Sequence, residues 1–276
     1  MKEPSSEEPL PAYLDPTKVS LARAYDFALG GKDNYEVDRA VIRELEKVAP
    51  EIIQIAVDNR EFLIRASRFL ASQTNVTQYL DCGPGLPTAE NTHQIVQRKK
   101  PDARVVYVDN DPSVLAYGRA LLEENDQTHL VHADVFRPDQ VIDNETVRKY
   151  LDFSQPMALY QCGTLHHYGG ARPPGEIMQE YVDALPSGSY VVLTHFLDPE
   201  TEEYGPLARK IEEILLHGPL GAGYFRTRAV IETLFPGLEL IEPGLTLCAD
   251  WWPDGPHIKP LAPVSHCIVG AVGRKP

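Results

Sequence analysis

The sequence predicts an α/β fold with a mostly parallel sheet, preceded by a helical segment. From about residue 77 onward, short β-branched or aromatic runs alternate with longer amphipathic runs, which is the pattern of βαβ units. The segment before residue 77 shows helical periodicity instead. The chain has 276 residues, 43% of them hydrophobic, which is enough for a sizeable core.

The N-terminal part divides into a polar tail and three predicted helices. Residues 1–16 are acidic, contain prolines and lack an apolar run, so we expect a flexible end rather than a secretory signal. Helical spacing of apolar residues predicts helices over 17–29, 35–48 and 51–70. The polar, glycine-rich stretch Gly30 to Asn34 separates the first two helices, and its simplest interpretation is a helix-to-helix turn. We expect residues 17–76 to form a helical cap.

The remainder of the chain is expected to complete one globular unit with this cap. Strands are predicted over 78–82, 104–109, 128–133, 156–161 and 189–194. Helices are predicted over 87–99, 112–123, 138–150, 175–185, 202–216 and 227–235. Two apolar runs, 238–247 and 265–272, predict a strand pair that finishes one edge of the sheet.

Composition argues against several classes of partner. Lys and Arg total 26 against 40 Asp and Glu, and a net charge of −14 repels a phosphate backbone, so we expect no nucleic-acid partner. The apolar runs are shorter than the roughly 20 residues of a membrane helix, so we expect a cytoplasmic protein without membrane contact. The four cysteines are widely spaced, which predicts neither a metal site nor a disulfide framework.

The ends of the first two strands predict a nucleotide-type ligand. Ligands of parallel sheets bind outside the carboxyl ends of the strands. The first strand ends in a loop in which Gly83 and Gly85 permit a tight turn and a close approach of a ligand. Asp109, at the end of the second strand, stands where a carboxylate accepts the hydroxyl groups of a ribose.

The same loop indicates which nucleotide. The dinucleotide pattern needs a small residue three places after Gly85, where Thr88 stands, so a nicotinamide oxidoreductase is disfavoured. Asp81 would meet a pyrophosphate unfavourably but suits an ammonium group. S-adenosylmethionine carries an ammonium group and a sulfonium and has no phosphate, and it is the favoured cofactor.

Two further strand ends face the same crevice. Asp134 and Val135, after the third strand, supply an acid and an apolar neighbour for the amine and face of an adenine. After the fourth strand come His166, His167 and Tyr168. If the acceptor is a hydroxyl or a protonated amine, His166 or His167 is our first candidate for a base, with Tyr168 and then His195 behind them.

Three stretches together resemble a known family: Ala24 to Asp26 with Gly30 to Asn34, Leu80 to Thr88, and Arg104 to Pro112. They are similar to the actinobacterial S-adenosyl methyltransferase family, formerly a domain of unknown function, and the resemblance covers nearly the whole chain. It implies a Rossmann-like class I methyltransferase fold, with a seven-stranded, mostly parallel sheet whose last strand is antiparallel. Residues 77–276 would form this domain, with the helical addition before it.

The resemblance and the strand ends together give an expected set of cofactor contacts. The resemblance assigns Asp81, Gly83 and Gly85 to the first methyltransferase motif and Asp134 to the adenine. Tyr25 and the loop after it are expected to close over the cofactor as a lid, with Lys32 or Asn34 reaching its carboxylate. The full expected set is Tyr25, Gly31, Lys32, Asn34, Asp81, Gly83, Pro84, Gly85, Pro87, Thr88, Asp109, Asn110, Asp134, Val135, Gln161 and Cys162.

The predicted function is methyl transfer from S-adenosylmethionine to an unidentified small-molecule acceptor. The alternative from a different class is a protein that binds S-adenosylmethionine or S-adenosylhomocysteine for sensing and has lost transfer, since a fold alone does not fix function. The sequence identifies neither the acceptor nor the oligomeric state.

Overall fold

The computed structural model describes residues 15–88, 90–121 and 125–276, so most of the expected flexible end lies outside the described residues. Three helices come first: α1 (Leu21–Ala28), α2 (Glu36–Glu46) and α3 (Ile53–Gln73). The first begins four residues later than its periodicity predicts, because the Ser20 hydroxyl caps it by accepting the Arg23 N–H at 3.2 Å.

The strands and helices of the sheet region follow in alternation. The strands are β1 (Gln78–Cys82), β2 (Arg104–Asp109), β3 (Thr128–His132), β4 (Ala158–Cys162), β5 (Tyr190–Asp198), β6 (Arg226–Thr227), β7 (Glu239–Leu240), β8 (Thr246–Leu247) and β9 (Ile268–Arg274). The helices are α4 (Thr92–Gln97), α5 (Pro112–Leu121), α6 (Pro138–Ile142), α7 (Glu145–Tyr150), α8 (Pro174–Ala184), α9 (Gly205–His217) and α10 (Arg228–Glu232). Short 3₁₀ turns lie at Leu165–His167, Cys248–Asp250 and Pro263–Cys267.

The sheet has the predicted strand directions. Its main path is β3-β2-β1-β4-β5-β9-β7, in which β1 to β5 pair in parallel. The last strand, β9, runs antiparallel between β5 and β7. The seven-stranded, mostly parallel sheet with an antiparallel last strand is therefore confirmed, and the two-residue strands β6 and β8 extend it.

Three predicted elements differ in the structure: two are divided and one is shorter. The run 238–247 forms two short strands rather than one, because Pro243 lacks the N–H that a continuous inner strand must donate. The predicted helix 138–150 divides into α6 and α7, because Asn144 caps α7 by accepting the N–H of Thr146 at 2.9 Å. The helix predicted from residue 87 begins only at Thr92, because Asn91 forms a capping box.

Both faces of the sheet are buried, which explains why its strands read as nearly continuous apolar runs. On one face, Tyr79 and Val105 belong to a core shared with α1, α2, α3 and α9. On the other face, Leu80 and Val106 pack with α8 and α10. The helical cap is therefore part of the main core.

A buried ion pair fastens the cap. The Arg23 Nε donates to the Asp38 carboxylate at 2.8 Å, and the two side chains are 5% and 0% exposed. Asp38 also accepts the backbone N–H groups of Ser20 and Tyr35, each at 2.9 Å. The Arg23 Nη1 donates to the hydroxyl of Ser113 on α5 at 2.9 Å. The pair therefore joins α1 and α2 to the sheet region.

Removing Asp38 is predicted to destabilise the fold strongly. Asp38→Ala leaves the Arg23 charge buried without its partner, and the expected loss is about 3–5 kcal/mol of unfolding free energy, measured by denaturant titration. Glu44→Ala, which breaks the exposed pair with Lys47, is the control and should leave the stability unchanged within error. Equal effects of the two substitutions would contradict this role for the buried pair.

Candidate active site

A cavity of 620 Å³ lies at the carboxyl edge of β1, β2 and β4, beneath the helical cap and α9. Its volume falls within the range of about 300–1,000 Å³ that is typical of small-molecule sites. One end is formed by loops that follow the strands, among them Gly83 to Gly85 with Asp109 and Asn110. The other end is formed by apolar side chains of the cap, of α9 and of the loop after α9.

The two loop glycines serve different purposes. Both have positive φ, +74° at Gly83 and +69° at Gly85, a conformation that favours glycine. A Cβ on Gly83 would overlap the methyl group of Thr164, so Gly83 permits close packing against the turn after β4. A Cβ on Gly85 would point into open space, so Gly85 leaves room for a ligand beside its backbone.

Asp109 is the buried acid at the edge of the cavity. It is 8% exposed, and its carboxylate accepts the N–H of Asp111 at 2.8 Å and that of Gly85 at 3.4 Å. Burial raises its pKa to about 6. Asp109 therefore lies beside the open space at Gly85 as an acceptor for hydroxyl groups, the arrangement that a ribose requires.

Arg60 on α3 also lines the cavity, and the sequence analysis missed it. Its Nη2 donates to the hydroxyl of Thr88 and, at 2.9 Å, to the carbonyl of Glu90. Its buried Nε has no hydrogen-bond partner in the described part of the chain. A guanidinium with a spare donor fits a carboxylate. Nothing in the local sequence marks Arg60, because tertiary packing decides which face of α3 meets the cavity.

Three expected contacts from the end of β1 and the loop after it lie outside the cavity lining: Asp81, Pro87 and Thr88. Asp81 is 3% exposed and accepts the hydroxyl of Thr92 at 2.6 Å. Burial raises the pKa of Asp81 to about 6, while the Thr92 hydrogen bond and the Arg60 charge lower it. Thr88 thus binds the Arg60 guanidinium through its hydroxyl, and Asp81 interacts with it through charge.

The glycine-rich loop between α1 and α2 is held by Asp26. The Asp26 carboxylate accepts the N–H of Asp33 at 3.0 Å and the Asn34 side-chain amide at 2.8 Å. A Cβ on Gly31 would overlap this carboxylate. Lys32 is exposed. Gly31, Lys32 and Asn34 therefore lie outside the cavity lining, and the structure gives this loop the helix-to-helix turn conformation.

Tyr25 does line the cavity, where Asn59 holds it in place. The Asn59 amide nitrogen donates to the Tyr25 hydroxyl at 2.9 Å, and the Asn59 oxygen accepts the hydroxyl of Thr194 at 2.5 Å. Thr194 in turn accepts the N–H of Gly163 at 2.8 Å. This hydrogen-bonded chain connects α1 and α3 to β5 and to the turn after β4.

Only some of the residues expected at the ends of β3 and β4 line the cavity. Val135 and Cys162 line the cavity, whereas Asp134 and Gln161 do not. Asp134 accepts the backbone N–H of Phe136 at 2.9 Å, as expected for a turn residue. Gln161 is fully buried and accepts the hydroxyl of Thr164 at 2.6 Å.

His166 and His167 line the cavity, whereas Tyr168 and His195 do not. The Nδ1 atoms of His166 and His167 have no hydrogen-bond partner among the described residues. Burial lowers the pKa of His167 to about 4 and that of His166 well below its usual value, so both imidazoles are neutral near pH 7. A neutral imidazole can accept a proton.

Arg226 contacts Tyr168 and His195, the two candidate residues that lie outside the cavity lining. Its Nη2 donates to the carbonyl of Tyr168 at 2.6 Å, and its Nη1 lies 2.9 Å from Nε2 of His195. The Nδ1 of His195 lies 2.7 Å from the carbonyl of Phe196. Burial lowers the pKa of His195 to about 3.

Comparison with known proteins identifies the family. The sequence model of the S-adenosyl methyltransferase family matches residues 7–276. The chain belongs to this family. Its cofactor is therefore S-adenosyl-L-methionine and the chain is an S-adenosylmethionine-dependent methyltransferase, as the sequence predicted. No curated protein matches the chain significantly.

Solved structures agree with this assignment. A candidate methyltransferase from Thermobifida fusca is 40% identical with a TM-score of 0.90, over 98% of this chain and 99% of that one. A DUF574 family protein from Streptomyces avermitilis is 32% identical with a TM-score of 0.88, over 95% and 99%. The N-methyltransferase NodS from Bradyrhizobium japonicum, solved with S-adenosylhomocysteine, is 14% identical with a TM-score of 0.51 over 86% and 97%, and it shows the shared fold alone.

The described residues form neither a membrane-spanning helix nor a cluster of metal ligands. Within ranges 15–88, 90–121 and 125–276, no helix is both long and apolar enough to cross a membrane. Across those same ranges, no three His, Cys, Asp or Glu side chains converge as metal ligands.

Cofactor affinity is predicted to fall at acidic pH. The raised pKa of about 6 means that Asp109 is ionised at neutral pH, and it gains a proton and loses acceptor capacity as the pH falls through 6. Affinity for S-adenosylhomocysteine, measured by calorimetry, should then decrease by up to about tenfold per pH unit.

The pH dependence should become shallower in Asp109→Asn, which has no carboxylate to titrate at this position. The affinity of this variant should still depend on pH to some extent, because burial also raises the pKa of Asp81 to about 6. Asp134→Asn, outside the cavity lining, is the matched control and should keep the full dependence. An unchanged slope in Asp109→Asn would rule out Asp109 as the titrating group.

Proposed function

We propose that this methyltransferase acts on a small-molecule acceptor bound in the 620 Å³ cavity, next to the cofactor. The observation that carries the proposal is the division of this cavity into a polar end at the strand loops and an apolar end under the cap. The polar end has the groups that suit the cofactor. The apolar end would leave room for a small molecule beside the cofactor.

The residues at the polar end suit the separate parts of the cofactor. Asp109 would accept the ribose hydroxyl groups, and the backbone around Gly85 leaves room beside them. Val135 offers an apolar surface to the adenine. Arg60, with its unpartnered Nε, would bind the carboxylate. S-adenosylmethionine supplies a methyl group that is already activated by its positively charged sulfur.

The chain itself has two tasks in such a transfer. It must hold the acceptor in line and limit access of water, and the apolar side chains of the cap and α9 that line the cavity would serve both purposes. It must also accept a proton when the acceptor atom carries one. His166 and His167 are neutral and lie in the cavity lining, so they are the proposed proton acceptors.

The role of Arg60 predicts a selective loss of affinity. Arg60→Met should weaken binding of S-adenosylhomocysteine about tenfold or more, because the variant lacks the charge-assisted bond to the carboxylate. Binding of methylthioadenosine, which has no amino-acid group, should be unchanged. Calorimetry with both ligands measures the difference. Arg68→Met, on the same helix but outside this cavity, should affect neither ligand, and equal losses for both ligands would refute the assignment.

Turnover is predicted to depend on His167. With an acceptor found by screening small hydroxyl and amine compounds for S-adenosylhomocysteine formation, His167→Gln should lower kcat about 100-fold and leave cofactor affinity unchanged. His132→Gln, at an exposed position, is the control. Cofactor binding without S-adenosylhomocysteine formation across the whole screen would contradict the proposed function and favour a binding-only protein.

A further inference from the structure

The apolar end of the cavity is lined mainly by aliphatic and aromatic side chains. It is formed by the helical cap, α9 and the loop between α9 and β6, which contribute Ile42, Leu45, Ile53, Ile211, Leu215 and Leu220. Phe196 and Phe225 stack on each other with ring centroids 4.7 Å apart and complete one wall. A ligand in this compartment therefore contacts mainly hydrocarbon and aromatic surface.

The charged lining residues are all at the other end. Among the described lining residues, the carboxylates are Asp109 and Asp111, both at the end of β2. The guanidinium is that of Arg60, which is bonded to the first loop. The titratable groups that border the apolar end include His166 and His167, which burial holds neutral, and Tyr25 and Cys162, whose pKa values burial raises.

An acceptor with a net charge would thus lose its hydration in this compartment without gaining an opposite charge. Burial of an unpaired ammonium or carboxylate is strongly unfavourable. A neutral hydroxyl, in contrast, needs only hydrogen-bond partners, and the imidazoles at the boundary between the two ends have unused nitrogen atoms.

We propose that the acceptor is an uncharged, predominantly apolar molecule that presents a hydroxyl group to His166 and His167. This inference rests on the proposed function. The hydroxyl oxygen forms the new bond to the methyl carbon, and the carbon–sulfur bond breaks with its electron pair remaining on sulfur. The hydroxyl proton passes to an imidazole nitrogen and then to water. The products are a methyl ether and S-adenosylhomocysteine.

Three probes of one ring system test this class: 2-naphthol, 2-naphthoate and 2-naphthylmethylammonium. Each is titrated by calorimetry into the full chain saturated with S-adenosylhomocysteine, at neutral pH, so that binding does not depend on turnover. We expect 2-naphthol to bind at least about tenfold more tightly than either charged probe. Binding of a charged probe as tightly as 2-naphthol would overturn the inference, as would binding of none of the three.

A charge placed in the apolar wall should change this preference. Leu220 lies in a loop and is only partly buried, so Leu220→Asp is expected to fold, and thermal unfolding checks this. The variant should lose the preference for 2-naphthol and bind 2-naphthylmethylammonium about tenfold more tightly than the wild type does. Ile258→Asp adds the same charge at a position that is 96% exposed, and it should change nothing. An unchanged order of affinities in Leu220→Asp would contradict the assignment of this compartment.

Turnover assays separate this inference from the function on which it rests. Formation of S-adenosylhomocysteine from the cofactor with charged acceptors, and not with neutral hydroxyl compounds, would overturn the acceptor class and leave the proposed function intact. Absence of product with every acceptor class, in a protein that binds the cofactor, would overturn both.

Discussion

The buried pair of Arg23 and Asp38 is the constraint on which the geometry of the cavity depends. Two charges removed from water are stabilising only when their hydrogen-bonding capacity is satisfied, and here the backbone of the cap and Ser113 satisfy it. Ser20, whose N–H donates to Asp38, also donates its hydroxyl to Asp111 at 2.5 Å. Since the N–H of Asp111 donates to Asp109, the cap over the cavity and the acid beside it belong to one hydrogen-bonded network.

A second polar connection, through Asn59, holds the opposite side of the cap to the turn that precedes the two histidines. Between these two connections the cap lines the cavity mostly with apolar side chains, with Arg60 as a charged exception. Apolar packing is less directional than hydrogen bonding and tolerates substitutions that conserve volume. The polar end is thus fixed by specific bonds, whereas the apolar end can vary in shape without disturbing it. Substitutions at the apolar end would therefore leave the polar end unchanged.

The sequence predicted those features that depend on local pattern. The bounds of β1 and β2 agree with the prediction, because each is a short apolar run that ends in a turn signal. The sequence placed Gly85 and Asp109 at the same strand ends because their spacing reflects the strand–turn–helix unit itself, and both line the cavity. Asn34 was expected at the cofactor, but local sequence does not reveal that Asp26 binds its amide. Arg60 was missed because only the packing of α3 on the sheet turns that side chain toward the cavity.

The proton acceptor proposed here is positioned by packing rather than by a carboxylate. Arg226 donates to Nε2 of His195, which leaves Nδ1 of His195 to donate to the carbonyl of Phe196. The Phe196 ring then stacks on His166 at 3.6 Å between centroids. A carboxylate partner would raise the basicity of the imidazole, whereas apolar burial lowers it. Low basicity is sufficient when the methyl donor is already activated, because the acceptor proton becomes strongly acidic as the new bond forms.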